Sequence, residues 1–380
     1  MRCVVLALVV AACGAPPAPS NNHALRFLHT FDPRETELFN ATIAERGLVV
    51  DAALVPFARG HQVITELLRG GKDCPDLIRI DATWLPGLVA ARLLQAPPAS
   101  LASAGWSPLA KELAIAEGAL WAVPQSIDGL VVVRLAGTPP PGATGSTGTT
   151  QATVAELIAA AARAQAGGLA HPLGVRVDGY WMVPWLRAEG LELEPAGIES
   201  AGAVRALGEF SGLFGSLSPT PPSAGTEAPD ELRRWNAHEL AYWVTGPWQL
   251  ADLRDRDQIE VSALAHAPRG GQLLVVPRCA PQPGAGWRLA QELTSEPVSL
   301  IFSDAFATIP TLEAAQGHAT TLVQHTLAAL AHAERLPRTV VTPLLFDDLN
   351  PAVAAVVAGD ATPEEAIAGV RRGWRRLEPK

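Results

Sequence analysis

Between residues 25 and 136, short apolar runs alternate with amphipathic stretches, the pattern of strands and helices taking turns in an α/β sheet. The clearest unit is residues 74–94, CPDLIRIDATWLPGLVAARLL. Leu77, Ile78 and Ile80 form an apolar run of strand length, and Asp81 ends it. Thr83 can cap a helix with Pro86 in its first turn and a stripe at Trp84, Leu85, Leu88, Val89 and Leu93. An acid at the carboxyl end of a parallel-type strand, beside a helix start, lies where α/β sheets bind ligands. An acid that merely complements the helix dipole satisfies the same pattern. Residues 35–46, with Leu38, Phe39 and Ile43, and 61–69, with Val63, Ile64, Leu67 and Leu68, read as further helices. Residues 272–277 (QLLVVP) read as a buried strand, and the final third as mostly helical. Thr362-Pro363-Glu364-Glu365 is a helix start with N-cap, Pro at the first position and Glu at the third. Residues 137–150 and 218–229 are Pro/Gly-rich and predict surface loops; neither carries a phosphate-cradling glycine motif.

The order of these elements carries a resemblance. The 74–94 unit resembles the "PD-strand-D-x-x-W-helix" segment of the extracellular solute-binding proteins of family 1, the sugar-capturing components of ABC importers. Other stretches follow in family order: RFLHTFDPRETELFNATIAERGLVVDAALV, AVPQSIDGLVVVR, ATVAELIAAAARAQ, WVTGPWQLADL, GWRLAQELTSEPVSLIF and DATPEEAIAGVRRGW. Each is loose alone, but together they span nearly the whole chain beyond its first twenty residues. The resemblance implies an α/β, two-lobed periplasmic-binding-protein type II fold with a ligand cleft between lobes. It places residues 22–127 and 270–309 in the first lobe, and 128–269 and 310–380 in the second. It also implies a carbohydrate ligand, permease subunits as partners, a monomer, and neither enzymatic activity nor a cofactor.

Composition is compatible with this reading. The 380 residues are 48% hydrophobic and 18% charged, enough for a large core in two lobes. A net charge of −9 argues against nucleic acid as partner. The one basic cluster, Arg371, Arg372, Arg375 and Arg376, suits the end of the last helix. Arg2 followed by the apolar run 4–12 and Ala11-Ala12-Cys13 reads as a signal peptide (1–12) with a lipobox, and Cys13 as the lipidated residue. An ordinary signal peptide with a chance cysteine is the alternative. Residues 13–22 then form a tether, and the protein is expected to be an exported, periplasmic or cell-surface lipoprotein. Cys74 and Cys279 remain as two thiols in an oxidising compartment. By resemblance, the strands beside them run antiparallel, which would pair them in a disulfide; two unrelated thiols are the alternative. No C-x-x-C, H-E-x-x-H, G-x-S-x-G or G-x-G-x-x-G motif is present.

Sugars stack on Trp or Tyr and hydrogen-bond to carboxylates, amides and Arg. Ten Trp against two Tyr make Trp the aromatic choice here. The resemblance assigns ligand contacts to Glu35 after the first strand, His61 at the start of the second helix, Asp81, Asp128 at the crossover, Trp248, Gly271 and Gln272. Trp181 is a second stacking candidate, with core packing as its alternative. Gln272 and Ser126 stand where close sugar binders often have aromatic residues. Asp347-Asp348 could form a glycosidase carboxylate pair, but adjacent acids before Asn350-Pro351 are expected to cap a turn. A surface glycoside-active enzyme and an adaptor or sensor with the same fold remain alternatives to solute capture.

Overall fold

The computed structural model describes residues 24–144, 150–220 and 229–377. The signal segment, Cys13 and the tether lie outside the described residues, as do the centres of both Pro/Gly-rich segments. In chain order the principal elements are β1 (Leu25–His29), α1 (Pro33–Glu45), β2 (Val50–Leu54), α2 (Phe57–Gly70), β3 (Leu77–Asp81) and α3 (Leu85–Ala90). β4 (Val123–Gly129), β5 (Val131–Leu135), α4 (Gly179–Ala188), β6 (Tyr242–Thr245), α5 (Pro247–Leu250), β7 (Ile259–Leu264) and β8 (Pro268–Pro277) follow. α6 (Pro283–Leu293), α7 (Glu296–Phe306), α8 (Thr342–Ala358) and α9 (Pro363–Trp374) complete the chain.

These elements build two sheets and hence two lobes. In the larger, β1 lies between β2 and β3 in parallel, and β8 returns antiparallel to both β3 and β4. In the smaller, β5 lies antiparallel between β6 and β7. Because β1, β2 and β3 are parallel, their carboxyl ends bring residues 30–35, 55–57 and 81–84 to one edge, the ligand edge of an α/β sheet. α8 and α9 pack on the lobe of the smaller sheet, and α8 also reaches residues 82–84 of the larger one.

One face of the larger sheet grades from apolar to charged along the strands. Phe27, Leu77, Leu274 and Val276 pack with Phe39, Trp287 and Phe302 in a core under α1, α6 and α7. On the same face of β3, Arg79 and then Asp81 follow Leu77, because alternate residues share a face. The chain crosses to the smaller sheet through Gly129, at φ 153°. A side chain there would meet the Pro268 carbonyl oxygen at 2.6 Å, so the close approach of β4 to β8 requires glycine.

Several local expectations are revised. The second helix starts at Phe57 after Pro56, so His61 lies in its second turn and not at its start. Ala143–Thr144 pairs with residues 150–151, so the flanks of the first predicted loop form a ladder. β8 begins at Pro268, and the short strand Glu334–Arg335 pairs with Pro268 and Arg269, so part of the segment expected in the second lobe joins the larger sheet. Asp347 and Asp348 sit inside α8 and not in a turn; Pro351 is accommodated within that helix. Asn350 is committed elsewhere, its side-chain oxygen accepting the Gly179 N–H at 2.9 Å.

Cys74 and Cys279 form a disulfide with Cα atoms 5.8 Å apart. Cys74 precedes β3 and Cys279 follows β8, so the antiparallel pairing brings them to one end. Beside them the buried Asp76 carboxylate accepts the Arg26 and Gln282 backbone N–H groups at 3.0 and 2.7 Å, tying β1 to the entry of α6. The bond closes a loop with a sequence separation of 205, which the chain-entropy model values at roughly 5 kcal/mol. Thiol titration of denatured, unreduced protein beginning at residue 23 should therefore find no free sulfhydryl. Two per chain would disprove the bridge. Reduction should lower the melting temperature.

Candidate functional site

The site is assembled where β8 passes between β3 and β4. Register sets Gln272 opposite Asp81 on one side and Gly270 opposite Asp128 on the other. The Gln272 side-chain N–H group points between the two acids, 3.5 Å from Asp81 Oδ2 and 3.4 Å from Asp128 Oδ2. Gln272 is 8% exposed, and its Oε1 is buried without a partner. The other Asp81 oxygen accepts the Thr83 backbone N–H at 2.8 Å and its hydroxyl at 2.5 Å, capping the turn 82–84. Asp81 therefore both caps a helical turn and offers its second oxygen to the cleft.

Burial, and then the Asp81 charge, push the Asp128 carboxyl up to about 7. Burial also raises Asp81, against the Thr83 hydrogen bonds that favour its ionised form. Among the described residues no cation bonds to either carboxylate. Arg79 is the nearest positive group named in their electrostatics. Its Nε donates to Gln125 Oε1 and its Nη1 to Thr30 Oγ1, each at 2.7 Å, and the guanidinium lies 4.6 Å over the Phe31 ring. Arg79 lines a small depression with Glu35, Ser126, Ser299 and Phe302.

The second lobe contributes aromatic groups. Tyr180, in the first turn of α4, donates its hydroxyl to the Pro268 carbonyl at 3.3 Å, and its own ionisation is opposed by burial and by Asp128. Trp181 is 7% exposed, donates its indole N–H to the Val244 carbonyl at 2.9 Å and carries Arg176 over its ring at 5.4 Å. It is a support and not an open stacking face. Trp248 meets it edge to face at 5.9 Å and is 43% exposed, so Trp248 is the accessible platform. Gly246 permits this: a Cβ there would stand 2.2 Å from the Trp248 ring. Across the mouth, the Arg34 fork binds the Asp252 carboxylate, one contact being 2.9 Å. That pair joins α1 of the first lobe to the end of α5 in the second.

The expected ligand residues thus separate into groups. Asp81, Asp128 and Gln272 come together, and Trp248 lies exposed on the opposing lobe. Glu35 is occupied by its own helix: its carboxylate accepts the Asp32 N–H at 2.8 Å in a capping box. His61 packs 6.0 Å from Trp84 and faces Asp347 of α8; burial pushes its pKa down, so it is no ready cation. Gly271 faces backbone, since a Cβ would lie 2.2 Å from the Ser126 carbonyl oxygen; Gly270, beside Asp128 and Tyr180, is the glycine bordering the site. Three residues were not anticipated. Arg79 was signalled by a lone cation inside an apolar strand, and Tyr180 by adjacency to Trp181. Phe57, 53% exposed and 5.4 Å from Trp84, had no motif of its own. No group of three or more His, Cys, Asp or Glu among the described residues could hold a metal.

By sequence, no family model and no curated protein matches the chain. Solved structures do match in fold. The GacH receptor of Streptomyces glaucescens, solved unliganded and with acarbose, superposes with a TM-score of 0.77 at 22% identity, covering 93% of this chain and 98% of that one. An ABC transporter solute-binding protein of Thermotoga lettingae bound to α-D-tagatose gives 0.74 at 20%, covering 93% and 99%. The maltose/maltodextrin-binding domain of Bdellovibrio bacteriovorus bound to maltotriose gives 0.76 at 14%, covering 93% and 99%. The chain has the two-lobed periplasmic-binding-protein fold, as these sugar-binding proteins do.

Two outcomes follow. Asp128 titrates above its ordinary value of 3.8 when folded. The stability it lends is full below that ordinary value and is lost as pH rises through about 7. The unliganded wild type should lose melting temperature relative to Asp128→Asn between about pH 4 and about pH 7, with little further change above. Parallel profiles would show Asp128 ionised throughout. Separately, Gly246→Ala should displace Trp248 and quench or shift tryptophan fluorescence while leaving far-ultraviolet circular dichroism unchanged; an unaltered fluorescence spectrum would contradict the packing.

Proposed function

We propose that this chain is the capture component of an ABC importer: it closes on a carbohydrate between its lobes and hands it to membrane permease subunits without turning it over. The observation that carries this reading is the convergence of Asp81, Asp128 and Gln272 on one lobe with the open Trp248 ring on the other. Carboxylates and an amide satisfy sugar hydroxyls, and an indole covers an apolar ring face. The sugar ligands of the similarly folded proteins named above support it.

We assign the ligand contacts to Asp81, Asp128, Gln272 and Trp248, with Arg79, Tyr180 and Phe57 at the margins. Residues 24–129 and 268–309 form the first lobe in this reading, and 130–267 with the C-terminal helices the second. The crossovers near residues 129 and 267 act as the hinge, since few residues need change φ/ψ there. Export and anchoring through a lipid on Cys13 belong to the same proposal. Among the described residues no helix is long and apolar enough to cross a membrane.

Titration calorimetry and thermal shift over mono-, di- and trisaccharides test it. A bound sugar should raise the melting temperature by mass action, and Asp81→Ala or Asp128→Ala should each cost about 1–3 kcal/mol of affinity while the apo fold is kept. Product analysis should find the sugar unchanged. A panel in which no sugar binds, or a sugar that is hydrolysed, would overturn the reading.

A further inference from the structure

We propose that the ligand of this cleft carries a protonated amine, as in an amino sugar or basic pseudo-sugar, seated between Asp81 and Asp128 and preferred over a neutral sugar of the same shape. This rests on the capture reading above and specifies its substrate class.

Two carboxylates share one neutral donor, the Gln272 amide, at the long distances of 3.5 and 3.4 Å. The positive group nearest them, Arg79, already spends Nε on Gln125 and Nη1 on Thr30 and stacks on Phe31. The other charges that act on Arg79 are acidic, Glu35 and Asp32; Arg34 lies beside them but its fork is bound to Asp252, so acids still outnumber cations around the pair. Tyr180, whose hydroxyl lies near Gly270 beside the pair, is held neutral by burial and by Asp128 and Asp81. Neutral hydroxyls could bond to the acids but would leave that excess in place.

Gln272 adds an independent observation. It is more than nine-tenths buried, aimed between the acids, and its Oε1 has no partner. A buried acceptor without a donor is costly. When an ammonium enters between the carboxylates it displaces the Gln272 N–H from its long contacts, and a half-turn of the amide exchanges N–H and Oε1 so that Oε1 faces the ammonium. Asp81, Asp128 and Gln272 then supply three acceptors for three N–H donors. The free pair is held half-discharged by a proton on Asp128, whose carboxyl titrates near 7; the ammonium takes that proton's place, and the proton leaves to solvent. Trp248, the exposed ring across the cleft, suits the apolar face of the same ligand.

The test is titration calorimetry at neutral pH with matched series: glucose, glucosamine and N-acetylglucosamine, then cellobiose and the β-1,4-linked glucosamine disaccharide. The amines should bind at least about tenfold tighter than their neutral partners, the difference between a charge-assisted and a neutral hydrogen bond. N-acetylation should abolish the preference, and Asp128→Asn should shrink it. Binding of an amine should also release protons, read from the dependence of heat on buffer ionisation. Neutral sugars binding as tightly as the amines would overturn this inference while leaving sugar capture intact. No binding in either series, nor across the wider sugar panel, would overturn both.

Discussion

The structure depends on a single pairing: β8 running antiparallel between β3 and β4. Every candidate ligand group of the first lobe owes its place to that register. Sliding β8 by one residue would turn Gln272 to the opposite face and present Leu273 or Gly271 to the acids. The ladder is held at one end by the disulfide and the Asp76 contacts, and at the other by the close approach of Gly129 and Gly271 to neighbouring backbone. Packing, covalent bond and glycine placement all enforce the same alignment. The two acids can then be brought together despite their repulsion, because backbone hydrogen bonds and apolar burial elsewhere offset it.

Along the strand face the chemistry changes in steps. Leu77 closes the core, Arg79 is buried with Nε and Nη1 bonded to Gln125 and Thr30, and Asp81 meets Gln272. Such a gradient puts core packing at the start of one five-residue strand and polar candidate-site chemistry at its end. Arg79 contributes through orientation: by fixing Gln125, Thr30 and Phe31 it stiffens the floor beneath the acids. The second lobe supplies rings, Tyr180, Trp181 and Trp248, on the side that faces the acids of the first.

Much of this was legible in the sequence. The strand-Asp-helix unit at 74–94 gave Asp81, and the ordered run of family motifs gave the two-lobed fold and the neighbourhood of Asp128, Gln272 and Trp248. What local pattern could not reveal was commitment to other partners. Glu35 follows the first strand as expected, yet its carboxylate is consumed by the Asp32 backbone. Trp181 and Trp248 look alike in sequence, and only the fold decides which ring is covered. The turn expected at Asp347-Asp348 failed because tertiary packing of α8 against α4 and α9 outweighs the cost of one internal proline. Phe57 escaped notice because an exposed aromatic at a helix start has no periodicity to announce it.

The disulfide has a topological consequence as well. Every strand of the smaller sheet, from Val131–Leu135 to Ile259–Leu264, falls between Cys74 and Cys279 in sequence. That sheet is part of a covalently closed ring. A protease cutting anywhere on that sheet would open the ring without parting the molecule, since both flanks of the first lobe stay joined by sulfur. Damage to the second lobe would then leave a nicked but intact partner lobe, with β3 and β8 still in register.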